Sequence, residues 1–143
     1  MVIGLASDHA GYDLKVKVIA YLTSKGLEVK DYGTYSADSC DYADYAHQLA
    51  TAIETKELKV GLAFCGSGNG INITLNRHKE VRSAYCWQTE IAALARQHND
   101  ANICTIPARF IEEEDAYKII DVFLATEFEG GRHQKRIEKI ELK

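Results

Sequence analysis

The sequence predicts an α/β domain, a three-layer αβα sandwich around a parallel sheet of five strands, spanning residues 1–143. Two observations carry this. Short apolar runs alternate with longer segments whose apolar residues recur at helical spacing, and such alternation builds parallel βαβ units. One of those runs, Val60 to Phe64, leads straight into Cys65-Gly-Ser-Gly-Asn-Gly70. A strand, a glycine loop and a helix form the arrangement in which open α/β sheets bind ligands.

Val2 to Ala6 opens the sheet, with Ser7-Asp8-His9 at its carboxyl end. A helix of about fifteen residues follows, carrying Leu14, Val18, Ile19 and Leu22 on one face. Gly26 ends it, Leu27 to Tyr32 forms the second strand, and Gly33 closes that strand. A polar loop with Ser36, Asp38, Ser39 and Asp41 leads into a second helix, where Tyr42, Tyr45, Ala46, Leu49, Ala50 and Ile53 repeat at helical spacing. Asp41 stands at its N-cap. Beyond the central strand and loop, a helix starts near Asn69 or Ile71 and runs to Asn76. Val81 to Cys86 is the fourth strand. Ile91, Leu94 and Ala95 mark a helix ending near Arg96-Gln-His98-Asn-Asp100, and Asn102 to Ile106 is the fifth strand, stopped by Pro107, the only proline. Glu112 to Thr126 is amphipathic, through Ala116, Ile119, Ile120, Phe123 and Leu124. After the hinge Gly130-Gly131, a last helix runs from Arg132 to about Leu142. It carries Ile137 and Ile140 but little core of its own, so it is expected to dock on a partner subunit in a homodimer.

Composition narrows the function classes. A hydrophobic content of 46% with 27% charged residues is that of a globular domain rather than a disordered chain. The net charge of −4 excludes a general nucleic-acid or membrane binder. Its distribution is uneven: residues 130–143 carry five Lys or Arg against two Glu, a basic patch on an acidic body. The N-terminus is too short and uncharged for a signal peptide, and no apolar run reaches membrane length. The four cysteines (40, 65, 86 and 104) show no C-x-x-C spacing and no zinc-like interval to histidine. Reduced thiols in the cytoplasm, with no metal and no cofactor, are the expectation.

The glycine loop has a chemistry of its own. Its N–H groups can approach an anion closely, and the next helix N-terminus adds positive potential. A thiol there has its thiolate stabilised by the same dipoles. The loop is not a Walker A loop, which needs Gly-Lys-Ser/Thr. It lacks the third glycine or alanine of a dinucleotide fingerprint, since position 71 is Ile71. The same Ile71 stands where a cysteine phosphatase needs its arginine. A tight turn with a buried cysteine accounts for the loop equally well.

In a parallel sheet the loops at the strand carboxyl ends converge. That edge is expected to collect Asp8-His9, the Cys65–Gly70 loop, Arg109, and His98-Asn99 if the helix end bends back. Each has an ordinary alternative. Asp8-His9 also suits an N-cap beside a surface imidazole, and His98-Asn99 suits a helix C-terminus. Tyr42 faces either the core or the cleft. Arg132 and Arg136, four apart on one helix face, hold a phosphate together or form a solvated basic surface. His47, His78 and His133 are expected at the surface. Taken together, a thiol, two imidazoles, an N–H-rich loop and several arginines suit proton transfer on a small phosphorylated carbonyl compound.

Six blocks carry a resemblance: Ser7-Asp8-His9-Ala-Gly11, Asp41-Tyr42 leading into Tyr45-Ala46, Cys65-Gly-Ser-Gly-Asn-Gly70, Arg96-Gln-His98-Asn-Asp-Ala-Asn102, Arg109, and Gly130-Gly-Arg132-His-Gln-Lys-Arg136. In order and spacing they resemble the type B ribose-5-phosphate isomerases and the wider family of ribose- and galactose-6-phosphate isomerases. The resemblance implies a Rossmann-like fold and a metal-independent aldose–ketose isomerase of the pentose phosphate pathway. It implies a homodimer or homotetramer with active sites between subunits. Cys65 would be the base moving a proton between C1 and C2 through a cis-enediolate, and His98 would open the sugar ring. Asp8 and Asn99 would hold the sugar, and Gly66, Ser67, Gly68, Asn69 and Gly70 would form the anion hole. His9, Arg109, Arg132 and Arg136 would account for phosphate and nearby oxygen contacts, and Tyr42 would line the pocket. Ser67 and Asn69 depart from the family loop, usually Cys-Gly-Thr-Gly and an aliphatic residue. That leaves galactose- or allose-6-phosphate isomerisation, or phosphosugar binding without turnover, as the alternatives to ribose 5-phosphate.

Overall fold

The computed structural model of the chain describes residues 1–142. Five strands, β1 (Val2–Ser7), β2 (Glu28–Asp31), β3 (Val60–Cys65), β4 (Ser83–Tyr85) and β5 (Ile103–Pro107), form one parallel sheet in the order β2-β1-β3-β5-β4. Between and after them come α1 (Tyr12–Ser24), α2 (Tyr42–Glu54), α3 (Asn69–Leu75), α4 (Thr89–Asn99), α5 (Glu113–Ala125) and α6 (Arg132–Ile137). The three-layer architecture expected from the alternation, and the Rossmann-like fold that the resemblance implies, are those observed.

The strands read as near-continuous apolar runs because both sheet faces are covered. With period two, Ile3, Leu5, Leu62, Phe64, Cys104 and Ile106 face one layer, and Leu14, Val18 and Leu22 of α1, Ala92 and Ala95 of α4, and Ala116, Ile119, Ile120 and Phe123 of α5 pack onto them. Ala6, Ala63, Cys65 and Ile103 face the other layer, under Leu49, Ala50 and Ile53 of α2 and Ile71 and Leu75 of α3. α1 and α2 thus lie on opposite faces, and the winding reverses between β1 and β3. The carboxyl ends of those two strands form the crevice at a topological switch point.

Departures from expectation occur where neighbours are few. β2 and β4 are only four and three residues long, and each is an edge strand with a single partner. The last helix stops at Ile137, its last buried residue, while Ile140 is exposed. Asp41 does occupy the N-cap of α2, but its carboxylate bonds none of the first-turn N–H groups. Its carbonyl instead accepts from Asp44 N–H at 3.2 Å. Among the described residues, no helix is long and apolar enough to cross a membrane.

Candidate active site

At the switch point the backbone builds most of the site. Asp8 follows β1, its N–H donates to the Phe64 carbonyl at 3.3 Å, and its carboxylate accepts from Gly11 N–H at 3.0 Å. Asp8 therefore closes the turn into α1, whose N-cap is Gly11, and it is buried. His9 Nδ1 accepts from the Cys40 N–H at 3.2 Å. That bond leaves the ring proton on Nε2, a donor available to an anion.

Cys65 ends β3 and is 4% exposed. The N–H groups of Ile71, Gly68 and Gly70 are directed toward its sulfur, and each favours the thiolate. Burial opposes them, with the Asp8 charge on the same side, and the net effect pushes the thiol above its ordinary value. The loop is pinned from outside. Ala108 and Arg109 N–H donate to the carbonyls of Cys65 and Gly66 at 2.9 and 3.0 Å, and Tyr85 OH donates to the Ser67 carbonyl at 2.7 Å. Ser67 Oγ turns inward to accept Asn69 N–H at 3.3 Å. Gly68 sits at φ +81°, where a side chain is strained, and a Cβ on Gly70 would lie 2.4 Å from the Tyr42 ring. Tyr42 therefore covers the loop rather than the core. Arg109 lies against Gly66, within 3.3 Å of where a Cβ there would be. Because α3 has only seven residues, the aimed N–H groups matter more to the thiol than a helix dipole does.

His98 and Asn99 stand elsewhere. They form the last turn of α4, and a helix between parallel strands returns to the amino edge of the sheet. The Asn99 carbonyl accepts from Arg82 Nε at 3.0 Å, and Arg82 immediately precedes β4. The helix end does not bend back toward Cys65. Its eleven residues hold the two groups apart by a helix about 16 Å long.

The basic segment joins that amino edge. Glu129 N–H donates to the Gln97 carbonyl at 3.1 Å, and α6 packs on α4. His133, expected at the surface, is buried at 6% exposure. It lies one turn from Ile137, and the two make the inward face of α6. Its ring stacks on His98 with centroids 4.2 Å apart and 13° between planes. Burial, then the neighbouring His98 and Arg132, push the His133 imidazole below its ordinary value. Arg132 and Arg136 are exposed and make no ion pair among the described residues. A cavity of about 810 Å³ opens on this edge, lined by Asn99, Arg82 and Arg77 among others. His47 is exposed as expected, whereas His78 is half-buried with Nδ1 2.8 Å from Glu54 Oε1.

One chain thus brings Asp8, His9, Tyr42, Cys65, the 66–70 loop and Arg109 to the carboxyl edge. It brings His98, Asn99, Arg132 and Arg136 to the amino edge. Sequence reasoning missed Tyr85 and Glu129. Tyr85 had a signal, its place at the end of a strand beside the loop. Glu129 had none: its N–H bond to the Gln97 carbonyl sets it beside His98, and the turn at Gly130 and Gly131, both at positive φ, brings His133 round to it.

Residues 3–140 match the profile of the Ribose/Galactose Isomerase family. The chain is 41% identical to ribose-5-phosphate isomerase B of Escherichia coli over 138 residues, covering 96% of this chain and 93% of that one. The solved ribose 5-phosphate isomerase of Thermotoga maritima superposes with a TM-score of 0.96 at 49% identity, covering 97% of this chain and 96% of that one. Ribose-5-phosphate isomerase B of Mycoplasma genitalium, solved with bound ribulose-5-phosphate, superposes with a TM-score of 0.92 at 40% identity, covering 97% and 93%. Fold, coverage and identity agree along nearly the whole chain, which belongs to the ribose/galactose isomerase family.

Proposed function

We propose that this protein interconverts ribose 5-phosphate and ribulose 5-phosphate without a metal, and that two copies of the chain complete each site. The observation that carries the chemistry is Cys65: a buried thiol at a switch point, ringed by three backbone N–H groups and flanked by a carboxylate. As thiolate it takes the proton from C2 of the open aldose and returns it, as thiol, to C1. Meanwhile the hydroxyl proton on O2 passes to O1. The N–H groups of the 66–70 loop stabilise the cis-enediolate oxygen between the two transfers. Asp8 holds sugar hydroxyls, Tyr42 walls the pocket, and His9 donates through Nε2 to the phosphate side with Arg109.

His98 protonates the ring oxygen to open the furanose, Asn99 contacts the sugar, and Arg132 and Arg136 clamp the phosphate. These four stand across the sheet from Cys65 in their own chain. They reach a Cys65 loop if the amino edge of one copy meets the carboxyl edge of another, with the exposed face of α6 at the junction. The unpaired arginines and the half-exposed Tyr42 suit such a junction. Four unpaired cysteines suit a reducing compartment, and we place the enzyme in the cytoplasm.

The test is conversion of ribose 5-phosphate to ribulose 5-phosphate by the purified chain in EDTA, with Cys65→Ala alongside. Turnover lost only in the variant supports the assignment. No turnover by the intact chain, but turnover of galactose or allose 6-phosphate, moves the substrate to the hexoses. Binding without turnover of any of them makes the chain a phosphosugar binder.

A further inference from the structure

The amino edge holds a ligand set of which the proposed isomerase chemistry uses only His98. Glu129 Oε1 lies 3.9 Å from His98 Nε2 and 3.6 Å from His133 Nε2, and suitable donor atoms of the three residues all lie within 4.8 Å of one another. The stacked, nearly parallel rings turn the same edge toward the one carboxylate. Two imidazoles and a carboxylate with an open fourth position match the donor set of an open zinc site. With metal–ligand bonds of about 2.0–2.1 Å, tetrahedral donors stand roughly 3.3–3.5 Å apart. Closing on an ion therefore takes a modest inward shift of the donors and a splaying of the two rings.

The backbone already holds the set together. Glu129 N–H is bonded to the Gln97 carbonyl, one residue from His98, and His133 N–H to the Gly130 carbonyl, both at 3.1 Å. Only His133 is buried; His98 and Glu129 are 39% and 52% exposed in their side chains, so an ion has a path in. Arg132 and Arg136 stand on the same short helix and oppose a cation, which favours a reversible site over a permanent structural one.

We propose that His98, Glu129 and His133 form a reversible site for a divalent cation of zinc's type, and that its occupation shuts off the isomerase by taking the imidazole that opens the sugar ring. The inhibitory half of this rests on the role proposed above for His98; the binding half does not. Imidazole and carboxylate donors in an open tetrahedral set select zinc and its cobalt substitute over magnesium or calcium, which want more oxygen ligands.

The experiment uses the full-length chain and two readouts. Co²⁺ titration, followed by visible absorption, is expected to show one tetrahedral site per chain with no thiolate-to-cobalt charge transfer. The spectrum should persist in Cys65→Ala and vanish in Glu129→Gln and His133→Gln. Zn²⁺ should slow ribose 5-phosphate turnover and EDTA should restore it. Glu129→Gln, at an exposed position, should keep its zinc-free turnover while needing at least about tenfold more zinc for inhibition. A charge-transfer band abolished by Cys65→Ala overturns the proposal, because the metal then sits on the thiol. So does unchanged metal affinity in Glu129→Gln. If the intact chain never turns over ribose 5-phosphate, the functional assignment of His98 fails while the cobalt spectrum still decides the site.

Discussion

The two edges of the sheet hold the residues proposed for the site by different means. At the carboxyl edge, Cys65 is buried on a strand, its sulfur is met by backbone N–H groups, and its loop is tied by main-chain bonds to the segment after β5. At the amino edge, His98, Asn99, Arg132 and Arg136 project from the ends of two helices, and both arginines are exposed. The first half is preorganised by the fold, since the same hydrogen bonds that stabilise the turn also aim its donors. The second half consists of exposed or half-exposed side chains on two helix ends, with only the His98 ring packed, against His133. The base role proposed for Cys65, which requires a thiolate within reach of a carbon-bound proton, suits the rigid half. The phosphate capture proposed for Arg132 and Arg136 suits the looser one.

The largest effect expected is complementation. Cys65→Ala and His98→Gln are each expected to be nearly inactive. Mixing them after dissociation and reassembly should restore about a quarter of the wild-type rate, because half of the dimers are mixed and each has one intact site. No recovery would break the two-edge picture and put both residues in one chain's site.

A part-buried ion pair braces the carboxyl edge. Lys15, wholly buried on α1, donates to the Asp31 carboxylate and to the Thr34 carbonyl at 2.6 Å. Burial pushes its pKa down against the pull of Asp31. Thr34 begins the segment whose Cys40 N–H fixes the tautomer of His9. Lys15→Met should leave the Thr34 carbonyl unpaired and lower stability by about 2–3 kcal/mol, measured by urea unfolding. Unchanged stability would mean that this edge is not held by its buried polar contacts.

Arg136→Ala tests the other edge. It should raise KM roughly 10–100-fold, the loss of a charged contact of ~1.5–3 kcal/mol, with unfolding unaltered. A matching fall in kcat with no change in KM would contradict a phosphate role.

The smallest effect is a pH shift. Burial and Asp8 raise the Cys65 pKa, so the thiolate fraction, and with it kcat/KM, should climb with pH to a plateau above the ordinary thiol range. Asp8→Asn removes a negative charge that raises that pKa, so the midpoint should move to lower pH even as KM rises. A flat profile between pH 6 and about 9 would argue against the thiolate as base.

Much of the carboxyl edge was legible in the residues. Strand, thiol and spaced glycines are local features, and local rules of period and φ preference suffice to read them. The opposite placement of His98 was legible in principle, because a helix joining parallel strands must end at the amino edge. The burial of His133 has one thin signal, Ile137 four residues on, and a single i, i+4 pair in a charged segment does not show that this face packs on α4. Asp41 has the right residue type and position for a cap, but its exposed carboxylate bonds none of the first-turn N–H groups.

The sequence by itself determined the alternating elements, the two-sided burial of the sheet and the chemistry of the Cys65 loop, since these follow from nearest-neighbour patterning and backbone sterics. Only the tertiary structure decided the strand order β2-β1-β3-β5-β4, the seating of Tyr42 on Gly70 and of Tyr85 on Ser67, and the meeting of Glu129 with His98 and His133. Each of these brings together residues far apart in the chain or across a turn. Their contact depends on how whole layers pack, and no local periodicity encodes that.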